Sequence, residues 1–596
     1  MEITKKITNL LTESLNSQEI DSANIDIVVE APNDMSKGDY ATNVAMRLSS
    51  QLKQNPMNIA QSIVENLPKD IDIEEVEVAP PGFINFTLSN RYYLAEIAKI
   101  IGNGEYFKLD QRQNEKVVIE YTDANPFKEF HIGHLYSNAV GESFSRLQEA
   151  LGADVTRACY QGDVGLHVAK SIWGLEKKLT QENKKFEELE KLSLEQRVKY
   201  LGEAYVLGAH HYDELKDESA IKETDDLNYY IFSLTSDTLE KRDFSEYEKR
   251  NVAQVYKKGR QWCLDFFEKI YEKVDTKFDH YFFESEVGEA GLKIVLDNIE
   301  DIFEKDQGAI IYRGDEKKNL HTRVFVNSYG LPTYEAKEIG LALKKEDLLD
   351  YDESVVITAD EQSGYFKVVL DALSKIRPDV AKKIKHFAHG KVKLPGNSKM
   401  SSRKGGILSG EWLINETKVK VKEVMKKNGK ISGILLDRVS EKVAIGAIKY
   451  AFLKVSIGRD IVFDFDKSIS FDGDTGPYLM YVYARCASIL KEAGKLADPR
   501  NVCLDPCMDN AETRGLVSTL SKYREALLDS STNYAPSILT QYLFSLGQSF
   551  NSFYQNVRVL DASDEQREIL LLIVKATMLI MKDGLDNLGI DVVQKM

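Results

Sequence analysis

Two histidines three positions apart, in the stretch VVIEYTDANPFKEFHIGHLYSNAVGESFSRLQEALG, are the residues of this chain whose types and spacing point most directly to chemistry. His131 and His134 flank Ile132 and Gly133, in a chain that holds only 9 histidines among 596 residues. Imidazoles at i, i+3 share one face of a helix, which suits metal ligation. A metal would need further ligands. The residues between them are Ile and Gly rather than a Glu that could serve as base, and His167 is the other nearby histidine, so the pattern speaks against a metal and leaves capping or core packing as the plain alternative. The setting offers a third possibility. KVVIEY is a short apolar strand, a loop containing Pro126 follows, and a long helical pattern starts near His131, the opening unit of a doubly wound α/β sheet. A helix N-terminus at that crossing presents unpaired N–H groups and partial positive charge to an anion. Imidazoles there can donate hydrogen bonds to phosphate oxygens, and Gly133, having no Cβ, lets a flat base approach the backbone. Such a site favours a nucleoside triphosphate attacked at its α-phosphorus, because fixed donors match the charge that grows there.

A second candidate lies about 265 residues later, in GNSKMSSRKGG, where glycines flank Lys399, Arg403 and Lys404. Cations on a glycine-hinged loop suit the neutralisation of a leaving pyrophosphate. From Lys382 to Lys404 the chain carries eight Lys or Arg and no acid, against a net charge of −16 for the whole. A polyanion must therefore meet local basic patches, although a run of charge is as readily a solvated face.

The elements that position these motifs follow from the chain's patterning. Its length exceeds a single core, and 43% hydrophobic with 29% charged residues is the composition of a globular protein. Residues 1–110 alternate helix-like and strand-like segments, including NIDIVVEAP, DMSKGDYATNVAMRLSSQL (turn residues, then helix) and VEVAPPGFINFTL, and form a small α+β unit. DQRQNEK marks a boundary. Residues 111–434 hold the sheet domain, with DVTRACYQGDVG and DESVVITADEQSGYFKVVLDAL as further strand-led units and a charged, helical insertion at about 170–325. Residues 435–596 are helical almost throughout. ILLLIVKATMLIM is interrupted by Lys575 and is too short to span a bilayer, and the N-terminus lacks the basic head and apolar run of a signal peptide, so a cytoplasmic protein is expected. Five scattered cysteines suggest neither a disulfide framework nor a zinc site.

With both motifs in order, the chain resembles the class I aminoacyl-tRNA synthetases, whose signatures are HIGH and a KMSKS-like loop. DANPFKEFHIGHL is similar to the A-N-P-x-K-x-x-H-x-G-H element of the arginyl-tRNA synthetases, here Ala124, Asn125, Pro126, Lys128, His131, Ile132, Gly133 and His134. KGDYATNVAMRLSS and PPGFINFTL resemble that family's N-terminal tRNA-binding domain, YQGDVGLHV its GDxG segment, and FDGDTGPYLMYVYARCASIL, SFNSFYQNVRVL and DGLDNLGIDVVQKM its helical anticodon-binding domain. The resemblance spans nearly the whole chain. It implies a Rossmann-like parallel-sheet catalytic domain with a helical insertion, a small α+β N-terminal domain and an all-α anticodon-binding bundle.

It also implies roles. His131, His134, Lys128, Lys399, Arg403 and Lys404 would stabilise the reacting phosphates, with Gly133, Met400 and Ser401 joining the histidines in holding ATP. Glu120, Tyr334 and Glu338 would hold arginine's guanidinium and Asn125 its α-amino or carboxylate end, and Gln362 would also bind arginine. A planar cation with five donors needs such forked carboxylate partners. Tyr334 and Glu338 are four apart and share a helix face. Phe83 and Asn85 would contact tRNA as an aromatic face and an amide, although core packing is the stronger expectation for Phe83. Tyr478, Tyr481, Tyr483, Phe550, Phe553 and Tyr554 could stack on anticodon bases or simply form core. Two departures stand out: Glu338 occupies a position where the family usually has Asp, and Ser402 replaces the second Lys of the signature loop, with Lys128 and Lys404 placed to compensate. The implied reaction joins L-arginine to tRNA(Arg) through an arginyl-adenylate, using ATP with Mg2+ and no protein-held metal, in a monomer that needs tRNA for activation. The alternatives are a synthetase-like tRNA-binding protein without catalysis and a nucleotidyltransferase with a non-tRNA acceptor.

Overall fold

The computed structural model describes residues 2–596 except 22–24, 33–36, 103, 237, 241, 396–407 and 429–430. In the N-terminal unit, helix Glu2–Ser17 spaces Ile3, Ile7, Leu11 and Leu15 at four-residue intervals, and all four are buried. It packs with helices Val44–Leu52 and Pro56–Glu65 on an antiparallel sheet of β1 (Val29–Glu30), β2 (Tyr40–Thr42), β3 (Ile73–Ala79) and β4 (Phe83–Leu88), ordered β1-β2-β4-β3. The residues Tyr40–Thr42, expected as turn, pair instead with β4, Tyr40 opposite Phe86 and Thr42 opposite Ile84. Three residues are too few for alternation to reveal a strand.

The site-bearing sheet begins with β5 (Lys116–Glu120), β6 (Asp154–Gln161) and β7 (His280–Phe283). A small antiparallel sheet of β8 (Glu304–Asp306), β9 (Ala309–Tyr312) and β10 (Arg323–Val326) follows, and β11 (Glu353–Ala359) and β12 (Ile384–His389) complete the main sheet. Its order is β12-β11-β5-β6-β7, and every neighbouring pair is parallel. Val117, Val118 and Ile119 of β5 are all buried, as a strand covered on both faces requires. The chain leaves β5 for β6 on one side and later fills the other side with β11 and β12, which makes the carboxyl end of β5 the switch point.

The stretch expected as a helical insertion does contain long helices, Leu166–Gln181, Leu194–Ala209, Glu218–Ser233 and Val252–Lys273. It also contributes β7 to the main sheet and β8 to β10 to the small one. Four-residue strands carry no measurable period, and so pass as interruptions of a helical pattern.

The C-terminal part is a bundle of helices including Gly433–Leu453, Gly476–Ala493, Pro536–Asn556 and Asp564–Asn587. The apolar run in the last of these is buried at Ile569 to Val574. Among the described residues no helix is long and apolar enough to cross a membrane. All five cysteines are free thiols. The bundle holds helix Ile132–Ala150 from behind: Ser143 Oγ donates to the Asn587 carbonyl at 3.0 Å, Gln148 Nε2 to the Ser531 carbonyl at 2.9 Å, and Arg146 to Asp586 Oδ1 at 2.8 Å.

Candidate active site

Beyond β5 the backbone turns through left-handed conformations at Thr122 (φ 77°), Asp123 (φ 46°) and Phe127 (φ 65°). A β-branched residue there costs on the order of 1–3 kcal/mol and persists only where its surroundings fix it. The following helix does so. Thr122 N–H donates to Ser137 Oγ at 3.0 Å, and Asn138 Nδ2 donates to Thr122 Oγ1 at 3.1 Å. Further on, Phe127 N–H donates to Cys263 Sγ at 3.2 Å. Asn125 is drawn to the end of β6, where its Oδ1 accepts from Gly162 N–H at 2.9 Å; a Cβ on Gly162 would stand 2.4 Å from that oxygen, so only glycine permits the approach.

His131 is the N-cap of helix Ile132–Ala150. Its Nδ1 accepts from the N–H groups of Gly133 (3.1 Å) and His134 (3.3 Å), while His134 Nδ1 accepts from His131 N–H at 3.2 Å. The rings stack with centroids 3.6 Å apart. The capping expectation and the phosphate-donor expectation thus coexist on different atoms: Nδ1 acts as acceptor in the cap, which assigns the proton to Nε2 as a donor. Burial, with Lys128 as a further cause, lowers the His131 pKa to about 4, and burial with His131 holds His134 well below the usual histidine range. Both rings are neutral at pH 7. A Cβ on Gly133 would lie 3.0 Å from the His131 ring, so the folded-back imidazole is the first thing that glycine accommodates.

At the end of β5, Glu120 is 1% exposed and its Oε2 accepts from Lys345 Nζ at 2.6 Å. Glu338, 7% exposed, has no hydrogen-bond or ion-pair partner among the described residues. Burial and the neighbouring Glu120 push its pKa up to about 8. Asp123 lies within the same field: burial and Glu120 raise its pKa far above the carboxylate range, while its Oδ1 accepts from Tyr160 N–H at 2.8 Å. Three carboxylates therefore share one lysine. Nearby charges are matched, Glu284 with Lys337 and Asp163 with Arg260 at 2.7 Å. Tyr334 opens the helix Tyr334–Leu349; its ring is 54% exposed and lies 4.6 Å from Lys337 Nζ. Gln362 is exposed in the turn after β11. Burial lowers the Lys128 pKa, and its ammonium lies 5.2 Å from the Tyr205 ring.

Lys399, Met400, Ser401, Ser402, Arg403 and Lys404 lie outside the described residues. The chain just after them is bound to the histidine motif: Ile132 N–H donates to the Leu408 carbonyl at 2.9 Å and Gly410 N–H to that of Phe130 at 2.8 Å. The histidine motif and the residues that follow the second motif thus share a short antiparallel contact, His131 opposite Ser409. Among the described residues no group of three or more His, Cys, Asp or Glu could hold a metal ion.

Away from this centre, Phe83 is 38% exposed at the start of β4, so the core-packing expectation fails, while Asn85 is buried. In the bundle, Tyr478, Tyr483, Phe550 and Phe553 are core, whereas Tyr481 and Tyr554 line an open groove of about 630 Å³ together with Arg485, Arg558 and the terminal Met596. Sequence reasoning missed Asp123 and Lys345. Asp123 stood in view in YTDANP, but a charge in a turn looks solvated; Lys345 is seven residues from Glu338, two helical turns along the same face.

A parallel sheet with a switch point at β5, a histidine-capped helix there and a basic, glycine-flanked sequence motif whose following residues pair with the start of that helix define a class I aminoacyl-tRNA synthetase. Family models agree along the chain: arginyl tRNA synthetase N-terminal domain over residues 2–88, tRNA synthetases class I (R) catalytic domain over 96–465, and DALR anticodon binding domain over 479–596. The chain belongs to the arginyl-tRNA synthetases, ligases that join arginine to tRNA. It is 30% identical to an arginine–tRNA ligase of Fusobacterium nucleatum over 565 residues, covering 94% of this chain and 93% of that one. A Borreliella burgdorferi arginine–tRNA ligase is 28% identical over 586 residues, with 94% and 93% covered. In fold, the chain is similar to the Thermus thermophilus arginyl-tRNA synthetase (TM-score 0.75, 23% identity, 100% of both chains) and to that of Plasmodium falciparum (TM-score 0.76, 21% identity, 100% of this chain and 99% of that one).

Proposed function

We propose that the end of β5 holds L-arginine with its guanidinium between Glu120 and Glu338 and its α-substituents near Asn125, while ATP lies over the histidine motif. The observation that carries this assignment is the excess of carboxyl groups: among the described residues Glu120, Asp123 and Glu338 share one lysine, and burial together with Glu120 holds the other two toward their protonated forms until a cation arrives. A guanidinium offers forked donors and a permanent charge to such a group. A neutral amino acid would leave the deficit in place, so the pocket discriminates by what it would leave unpaired. Tyr334 and Gln362 border this pocket in the proposed pose.

The arginine carboxylate attacks the ATP α-phosphorus. Nε2 of His131 and of His134, with Lys128 and the loop cations Lys399, Arg403 and Lys404, stabilise the pentavalent centre and the leaving pyrophosphate. Gly133, Met400 and Ser401 belong to the nucleotide's surroundings. Mg2+ accompanies ATP and neutralises its phosphate charge. The ribose hydroxyl of the tRNA end then attacks the adenylate. Phe83 and Asn85 contact tRNA in the N-terminal unit, and Tyr481, Tyr554, Arg485 and Arg558 supply stacking faces and cations for anticodon bases in tRNA(Arg). The division into residues 1–110, 111–434 and 435–596 assigns one task to each part, in a monomeric cytoplasmic enzyme that requires tRNA before it activates arginine.

ATP–pyrophosphate exchange with each of the twenty amino acids, with and without bulk tRNA, tests the whole assignment. Exchange with arginine, dependent on tRNA, is expected. Equal exchange with lysine would overturn the guanidinium pocket.

A further inference from the structure

Helix Tyr334–Leu349 sends two charged residues toward the end of β5, Glu338 and, two turns later, Lys345. Lys345 is 1% exposed, as buried as the hydrophobic core, and its ammonium lies 2.6 Å from Glu120 Oε2 and 3.5 Å from Ser354 Oγ of β11. The groups facing this pair come from every element packed on it: Glu338 on the same helix, Asp123 and Tyr160 beyond β5 and within β6, Tyr351 and Ser354 at β11, and Tyr365 on the following helix. Among them Lys345 is the one cation. Its bond occupies one oxygen of Glu120 and leaves the other for a ligand.

We infer that Lys345 is a positioning residue for arginine recognition, which holds the Glu120 carboxylate turned so that its free oxygen meets the guanidinium. The inference rests on the assignment of Glu120 and Glu338 to arginine. Without Lys345, Glu120 would lose the one hydrogen bond that fixes its carboxylate among the described residues, and the group would be free to turn its oxygens away from the guanidinium. The lysine also distinguishes ligand from counter-ion: it satisfies one carboxylate of three, so the pocket stays folded when empty and still attracts a cationic side chain. This is a use for a buried ion pair beyond stability, since such pairs add little to folding by themselves.

The test is kcat and KM for arginine in tRNA-dependent ATP–pyrophosphate exchange, together with KM for ATP, in the full-length wild type, K345M, K345R and E120Q. In K345M, KM for arginine rises at least 10-fold, while kcat at saturating arginine and KM for ATP stay close to wild type. In K345R, which keeps the charge and displaces it, KM for arginine rises by less than in K345M. E120Q loses arginine binding. A folded K345M with the wild-type KM for arginine overturns the inference while E120Q still upholds the pocket. Should K345M fail to fold, K345R decides: a wild-type KM for arginine there overturns the inference. An E120Q protein with wild-type KM for arginine removes the pocket assignment and the inference with it.

Discussion

His131 and His134 cap one helix reciprocally, each Nδ1 accepting a hydrogen bond from the other residue's backbone N–H, at 3.3 and 3.2 Å. The cap uses one nitrogen of each ring and leaves the other for the proposed phosphate contact, so the two duties can be separated by isosteres. Asparagine places its amide where Nδ1 stands, and glutamine places its amide near Nε2. H134N should keep the cap and lose the phosphate donor, with kcat for adenylate formation falling about 10²–10³-fold, the scale of removing one transition-state donor. H134Q should retain more activity, and because glutamine at the third helical position can itself reach back to the His131 N–H, its stability should stay close to wild type. Single-turnover adenylate formation and urea denaturation read the two effects separately.

Glu338, with no hydrogen-bond or ion-pair partner among the described residues, would link arginine binding to pH if it holds the guanidinium as proposed. Its pKa stands at about 8 in the empty pocket, above that of an unfolded glutamate. A raised carboxyl pKa stabilises the folded chain at low pH, and that contribution is lost as pH rises through about 8. A bound guanidinium lowers the pKa again, so arginine binding releases a proton and tightens by up to about tenfold per pH unit until the carboxyl is ionised. Calorimetry in buffers of differing ionisation enthalpy should detect the proton, and arginine should raise Tm more at pH 8 than at pH 6. E338Q should abolish both effects. With His131 titrating only at about 4, no limb near pH 6.5 is expected from the histidine motif.

These pH effects show where sequence and structure part. The strand, turn and helix around the histidine motif were legible because each has a local signal: an apolar run, a proline-bearing loop and helical spacing. The carboxylate-rich pocket was half legible. Glu120 drew notice as a charge ending an apolar strand, but Asp123 and Lys345 acquire meaning from strands and helices distant in sequence. The reciprocal cap was illegible because a sequence names a histidine and not which of its nitrogens is engaged. β7 to β10 were lost in a helical pattern because four residues hold too little period to register.

Arg146 fastens the same helix to the bundle, donating to Glu142 at 2.8 Å, to Asp275 at 2.8 Å and to Asp586 at 2.8 Å. Burial opposes the charge on Glu142, yet Arg157 and Arg146 hold its pKa below the usual value. R146M should therefore cost about 1–3 kcal/mol, since it removes bonds from a buried carboxylate. D586A removes an exposed partner and should cost less than about 1 kcal/mol. Equal losses in urea denaturation would show that the buried carboxylate is not what Arg146 serves.

Phe83 offers the cleanest separation of tRNA binding from folding. Its ring is 38% exposed at the head of β4, while Asn85, two residues on, is buried at 7%. Residues two apart on a strand share a face, so one side of β4 presents an open aromatic ring beside a packed amide. Stacking on an unpaired base contributes about 1–3 kcal/mol. F83A should therefore raise KM for tRNA by roughly 5- to 100-fold while leaving Tm and KM for ATP close to wild type. N85A should lower Tm as well, because its truncation opens a buried polar position. Aminoacylation kinetics with tRNA varied, set beside thermal denaturation, distinguish the two. An F83A enzyme with unchanged KM for tRNA would leave the exposed ring without a role in tRNA contact.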